Sequence, residues 1–253
     1  MIKKILLVSA ISATCIFAEV SDIQIPTQNP IMQNKQTSNE QRTIKTKQDY
    51  IELESLLREI ISRGAINKSL ILGTLYMNSF KLDDGSVIKP NLAKAKDVFS
   101  YGVRNKIPMC SFYLSMLLEN KQDALILLEE NIKANTTQQS IREVLAIRYA
   151  EIVLSQFYKK DRFVSKALSL ILPIANATNE NPALDYTVAQ LLFLDNQKSL
   201  ATKYINSACN SPYATKPLLD KCFSDPNLVV NNKPNANKPR QKNECSISSY
   251  VND

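Results

Sequence analysis

An apolar period of three to four residues runs through the middle of this chain and restricts its fold more than any other feature. Leu53, Leu56, Leu57, Ile60 and Ile61 recur at i, i+3, i+4, i+7 and i+8 before Gly64, which puts them on one face of a helix. Asp49 and Glu52 stand in front of them at capping-box spacing. The period returns in Leu92, Ala95, Val98, Phe99 and Val103 after Pro90, which fits a first-turn proline. It returns again in Ala124, Leu125, Leu127, Leu128 and Ile132 behind the capping residue Asn120, and in Val164, Ala167, Leu168, Ile171 and Leu172, where Pro173 is expected to kink or end the helix. Four Gly and no Trp in 253 residues leave little material for tight β-turns or Gly-rich phosphate loops. The expected class is all-α.

The helices are expected in pairs, and similar pairs recur. Leu72-Gly-Thr-Leu-Tyr76 is followed by Lys94-Ala95, Leu114-Ser-Met-Leu-Leu118 by Asp123-Ala124, Arg148-Tyr149-Ala150 by Lys166-Ala167, and Ala189-Gln-Leu-Leu192 by a helix with Ala201 and Tyr204. Their leading positions Leu72, Leu114, Tyr149 and Leu191 lie 42, 35 and 42 residues apart. Such a period, with its variation in loops, predicts an α-solenoid of antiparallel helix pairs, each burying its apolar face against its neighbours.

The two ends read differently. Lys3 and Lys4 precede an apolar run from Ile5 to Phe17 that closes at Ala18, the pattern of a cleaved export leader, with the mature chain starting at Glu19. The run is too short to remain as a membrane span. Cys15 lies within it, and Ser12 three residues upstream does not match a lipid-attachment site, so a lipoprotein ranks second. The organisation expected is a leader at 1–18, a polar flexible linker at 19–46, a helical repeat domain at 47–224 and an irregular basic tail at 225–253. That tail carries Pro226, Pro234 and Pro239 with Lys233, Lys238, Arg240 and Lys242. Location in the periplasm or outside the cell follows from the leader.

Composition removes several classes of function. The chain has no histidine, which takes away the commonest general base, metal ligand and pH switch. The net charge of +7 falls to about +5 without the leader. The basic residues form no stripe interleaved with aromatics, so the footprint of a nucleic-acid binder is missing. Asp83-Asp84-Gly85 lacks the further oxygen ligands of a calcium loop, since Ser86, Val87 and Ile88 follow. Glu52 with Glu54 and Glu129 with Glu130 are placed by their spacing on diverging directions of a helix, as surface charges and not acid/base pairs. No catalytic residue, metal ligand or cofactor site is expected.

Four cysteines follow the leader: Cys110, Cys209, Cys222 and Cys245. In an exported chain an even number points to disulfides. Counting leaves three connectivities open. Nearness makes Cys209 with Cys222 the first choice, closing the last hairpin, and Cys110 with Cys245 a weaker one. Cys110 beside Met109, Phe112 and Tyr113 also suits a buried inert thiol.

Leu72-Gly73-x-Leu75-Tyr76, a loop, Ala93-Lys94-Ala95 and Tyr101-Gly102 together resemble a Sel-like repeat, one of the tetratricopeptide-related α/α families. The resemblance covers about 66–108 well and 109–210 in outline. It implies structural roles for Leu72, Gly73, Leu75, Tyr76, Ala93, Ala95 and Gly102: the large residues stack in the core and the small ones allow helices to cross closely. It also implies a surface for protein partners in place of a catalytic centre. The function expected is an exported adaptor holding parts of an envelope-associated assembly together. A cysteine-containing Sel-like protein active on peptidoglycan or β-lactams, or a secreted host-directed factor, are the alternatives.

Overall fold

A computed structural model describes residues 44–134, 136–178 and 180–224. The leader, most of the linker and the basic tail, with Cys15 and Cys245, lie outside the described residues. The fold is an all-α helical repeat. Helices α1 (Lys47–Ser62), α2 (Ser69–Met77) and α3 (Leu92–Arg104) belong to a first compact unit, 44–107. A second, 108–224, holds α4 (Pro108–Leu117), α5 (Lys121–Lys133), α6 (Gln139–Ile152), α7 (Asp161–Thr178), α8 (Pro182–Leu194), α9 (Lys198–Asn210) and α10 (Lys216–Ser224). No described helix is long and apolar enough to cross a membrane.

Local chemistry sets the boundaries. The capping box of α1 uses Thr46 and Asp49, three residues earlier than the Asp49 and Glu52 spacing suggests. The Asp49 N–H donates to Thr46 Oγ1 at 3.1 Å and the Thr46 N–H to Asp49 Oδ2 at 2.8 Å, so Asp49 is the third helical residue and not the cap. Asn91 caps α3 through the Lys94 N–H at 3.0 Å, which places Pro90 before the cap, outside the first turn. Asn120 caps α5 and Asn181 caps α8 in the same way. Pro173 neither ends nor interrupts α7, which runs on to Thr178. It sits on the exposed side, where water can reach the carbonyl that its missing N–H leaves behind.

In the first unit the loop between α2 and α3 contains a small hairpin, β1 (Phe80–Lys81) against β2 (Val87–Ile88), with Phe80 opposite Ile88. The Asp83-Asp84-Gly85 stretch forms its exposed turn, with Gly85 at φ +80°. Leu53, Leu57, Leu72, Leu75, Tyr76, Leu82, Ala95 and Phe99 make the core. Gly73 and Gly102 are buried with them. Ala93 and Leu92 are not: both are exposed, because the stripe of α3 that meets α2 is carried by Ala95, Phe99 and Gly102. Tyr101, 37% exposed, likewise lies off that stripe.

The second unit shows how the pairs stack. α4 packs on α5, α6 on α7 and α8 on α9, while α6 also touches α4 and α8. Each first helix of a pair therefore meets the first helices of adjacent pairs, the contact pattern by which repeats share one core. Ala124, Leu128, Leu145, Ala146, Ala150, Ala167, Ile171, Ala189, Leu191, Leu192 and Ala201 are fully shielded from solvent. Cys110 is equally buried. A disulfide joins Cys209 at the end of α9 to Cys222 in α10, with Cα atoms 5.9 Å apart.

Candidate functional site

Glu54 turns out to be the centre of a polar clamp. Its Oε1 accepts from Tyr76 OH at 2.7 Å, Lys94 Nζ at 3.1 Å and Arg58 Nε at 3.2 Å, and Arg58 Nη2 donates to the same Tyr76 oxygen at 2.7 Å. The guanidinium and the ammonium lie 5.7 and 5.1 Å from the Tyr76 ring centroid, within the range of cation–π attraction. Burial alone would raise the Glu54 carboxyl, but the three donors outweigh it and hold it below its usual range. Burial, and then the bond to Glu54, push the Tyr76 hydroxyl well above its ordinary value.

A second group of similar composition, with Lys133 in the place of Arg58, sits in the other unit. Glu129 accepts from Lys133 and Lys166, each at 2.6 Å, and beside it burial and the Glu129 charge raise Tyr149 to about 12. Glu129 too is held low by its cations against the effect of burial. The glutamates are 75 residues apart, the tyrosines 73 and the lysines 72. In each case the acid comes from one helix, with a cation four residues on, the ring from the next helix and the second cation from the one after. The side chains of Glu54 and Glu129 are only 19% and 14% exposed, so they are not the free surface charges their spacing suggested. A Glu-x3-Arg/Lys, a Tyr about 20 residues later and a Lys-Ala 17 or 18 beyond it were the readable signal.

Each carboxylate accepts from donors on more than one helix, an arrangement that suits holding helices together. Tyr76→Phe deletes two bonds to charged partners and is expected to destabilise the first unit by about 1.5–3 kcal/mol at pH 7. Because the folded Glu54 value lies below the unfolded one, its contribution is present above about pH 4.5 and lost as pH falls through the folded value. Urea unfolding at pH 7 and pH 3.5 should therefore show the gap between wild type and Tyr76→Phe shrinking in acid. An equal gap at both pH values would contradict the clamp.

One buried ion pair in the second unit is less complete. Arg148 Nη1 meets Glu151 Oε2 at 3.2 Å and Arg148 Nε donates to Ser115 Oγ at 3.3 Å, while Glu151 Oε1 is buried without a hydrogen bond among the described residues. Burial raises the Glu151 carboxyl despite Arg148 and Lys221, and lowers the Lys221 ammonium. Asp185, bonded to Ser207 at 2.6 Å, is also raised by burial. Sequence reading passed over Glu151 and Asp185, which stand alone and match no motif. Among the described residues no group of three or more Cys, Asp or Glu is placed to hold a metal.

The first unit also carries an open groove of about 380 Å³, lined by Arg58, Ile61, Ser62, Ser69, Leu72, Asp97, Val98 and Tyr101. Its walls are α1 and α3 and its floor is α2. Leu72, expected to stack in the core, lies at this floor with only 2% exposure, and Tyr101 stands on the wall. In the second clamp the residue seven before the tyrosine is Arg142, where the first has Ser69. Arg142 Nε reaches back to the Ile132 carbonyl at 3.1 Å, so a long side chain stands where the first copy has a small one.

No protein-family model, curated protein or solved structure matches this chain.

Proposed function

We propose that this chain is an exported helical-repeat scaffold that binds protein partners in an envelope-associated assembly. The groove between α1 and α3 carries this reading. It is open and mostly apolar, and side chains of α1, α2 and α3 line it. The leader pattern of residues 1–18 and the Cys209–Cys222 bond support an oxidising compartment. The Sel-like resemblance of 66–108 supports a repeat whose surface, and not a catalytic centre, does the work.

Cross-linking in the native host, followed by purification of the full chain, tests this. A few reproducible protein partners are expected, and no hydrolysis of cell-wall or β-lactam substrates by the purified protein. Turnover that disappears on changing one polar side chain would replace the scaffold with an enzyme.

A further inference from the structure

We propose that the turn from α6 into α7 is a docking point for a carboxylate-rich segment of a partner protein. This rests on the scaffold reading and gives the partner a chemistry. The turn reads Phe157-Tyr158-Lys159-Lys160-Asp161-Arg162-Phe163, and Tyr158, Lys159, Lys160 and Arg162 are all exposed. None of its three cations forms an ion pair among the described residues.

The cations are held by rings and not by acids. Lys160 Nζ lies 5.4 Å from the Phe157 ring centroid and 5.9 Å from that of Phe163, Arg162 Cζ 4.9 Å from that of Phe163, and Lys159 Nζ 5.5 Å from that of Tyr158. The two phenylalanines stack on each other at 4.3 Å. Phe157 ends the π-helical turn Val153–Phe157 that follows α6, and Phe163 stands in the first turn of α7, so the stack ties the two sides of the corner together. A ring attracts a cation without neutralising it. The charges are therefore placed before a partner arrives, which lowers the ordering cost of binding.

The acids at hand do not cancel them. Three cations against the single carboxylate of Asp161 leave the segment two charges positive. Asp195, from the turn between α8 and α9, accepts from Ser165 Oγ at 3.4 Å and from Gln197 Nε2 at 2.6 Å. Glu129 is occupied by Lys133 and Lys166.

Rings and burial decide which anion fits. A nucleic-acid strand needs open aromatic faces to stack on, but Phe157 and Phe163 turn theirs to each other and to Lys160 and Arg162. A bilayer surface needs apolar side chains that enter it. Here Phe157 is buried, Phe163 is half-buried and Tyr158 shows only 38% of its surface. A carboxylate-rich segment requires neither, since it matches charge alone.

The probe is a synthetic peptide of alternating Glu and Ser, with a Gln and Ser peptide as its neutral control, read by fluorescence anisotropy against the full disulfide-bonded chain. The acidic peptide should bind about tenfold more tightly than the neutral one, with the difference fading as salt rises from about 0.05 to 0.5 M. Lys159→Gln with Lys160→Gln and Arg162→Gln should remove that difference. Lys203→Glu with Lys216→Glu, a larger change in net charge on exposed residues of α9 and α10, should leave most of it. Lys159→Glu alone should weaken the acidic peptide about threefold, so the test does not depend on the triple variant folding. Equal binding of the two peptides, or as large a loss from Lys203→Glu with Lys216→Glu, would overturn the proposal. So would tighter binding of phosphatidylglycerol vesicles or of single-stranded oligothymidine at matched charge concentration.

A photo-reactive residue at Tyr158 in the native host supplies the second arm. Cross-links into an Asp- and Glu-rich segment of another protein support the proposal. Cross-links into lipid, or into a second copy of the chain, overturn it. Partners trapped elsewhere on the chain but never from Tyr158 would remove the role of this turn and leave the scaffold reading standing, whereas partners trapped from no position would remove both.

Discussion

Phe99→Ala is expected to cost the 44–107 unit about 3–5 kcal/mol, a large share of the roughly 5–15 kcal/mol that holds a small domain folded. The Phe99 ring is fully buried and lies directly over Gly73. A Cβ on residue 73 would fall 2.3 Å from Phe99 Cε1, 2.5 Å from Cζ and 2.7 Å from Cδ1. A ring enclosed on all sides cannot swing away, so Gly73→Ala should lose about 1–3 kcal/mol to overpacking. That exceeds the gain of about 1 kcal/mol that alanine brings inside a helix. Phe99→Leu should then recover part of the loss in the Gly73→Ala background, a coupling visible in a double-mutant cycle by chemical denaturation. A neutral or stabilising Gly73→Ala would mean that α2 and α3 do not cross this closely.

The second large effect is expected at the other end of the described chain. Cys209 and Cys222 are 13 residues apart, and opening a loop of that size removes about 3 kcal/mol of constraint. α10 packs mainly on α9, and its first amides, Leu218 and Leu219, donate to the Thr215 carbonyl at 3.0 Å. With so few other anchors, Cys209→Ser with Cys222→Ser should lower the hydrogen-exchange protection of those two amides by about a hundredfold. Protection in α2, in the other unit, should not change. Unaltered protection of α10 in the double variant would show that packing of Leu218 alone holds the helix.

What could be read from the sequence followed from periodicity. Leu53, Leu57, Ala95, Phe99, Ala167 and Ile171 announce their helices and their buried faces because a 3.6-residue period has only one way to gather them. Leu92 and Ala93 share that apolar character yet face solvent, since composition does not say where a stripe stops. The closest cysteine pair was legible because a short separation leaves few ways to keep two thiols apart in a closing hairpin. Glu54 and Glu129 were not, because a charged residue on a helix usually faces water. Their partners Tyr76, Lys94, Tyr149 and Lys166 come from helices that only the fold brings together. The groove was hidden for a related reason: its walls come from α1 and α3, which only the fold brings to the two sides of α2.

The two clamps bear on how such a chain can be copied and altered over generations. At the matching offsets the buried residues Gly73 and Phe99 correspond to the buried Ala146 and Ile171, so the apolar interiors of the two clamps differ in sequence. The acid, the tyrosine, the lysine before alanine and the cation four residues after the acid agree in both chemistry and order. Three successive helices are thus held in step by a few polar letters near the surface. A duplicated unit that keeps those letters is free to rewrite most of its interior, and its descendants would look unrelated by apolar content while remaining the same building block.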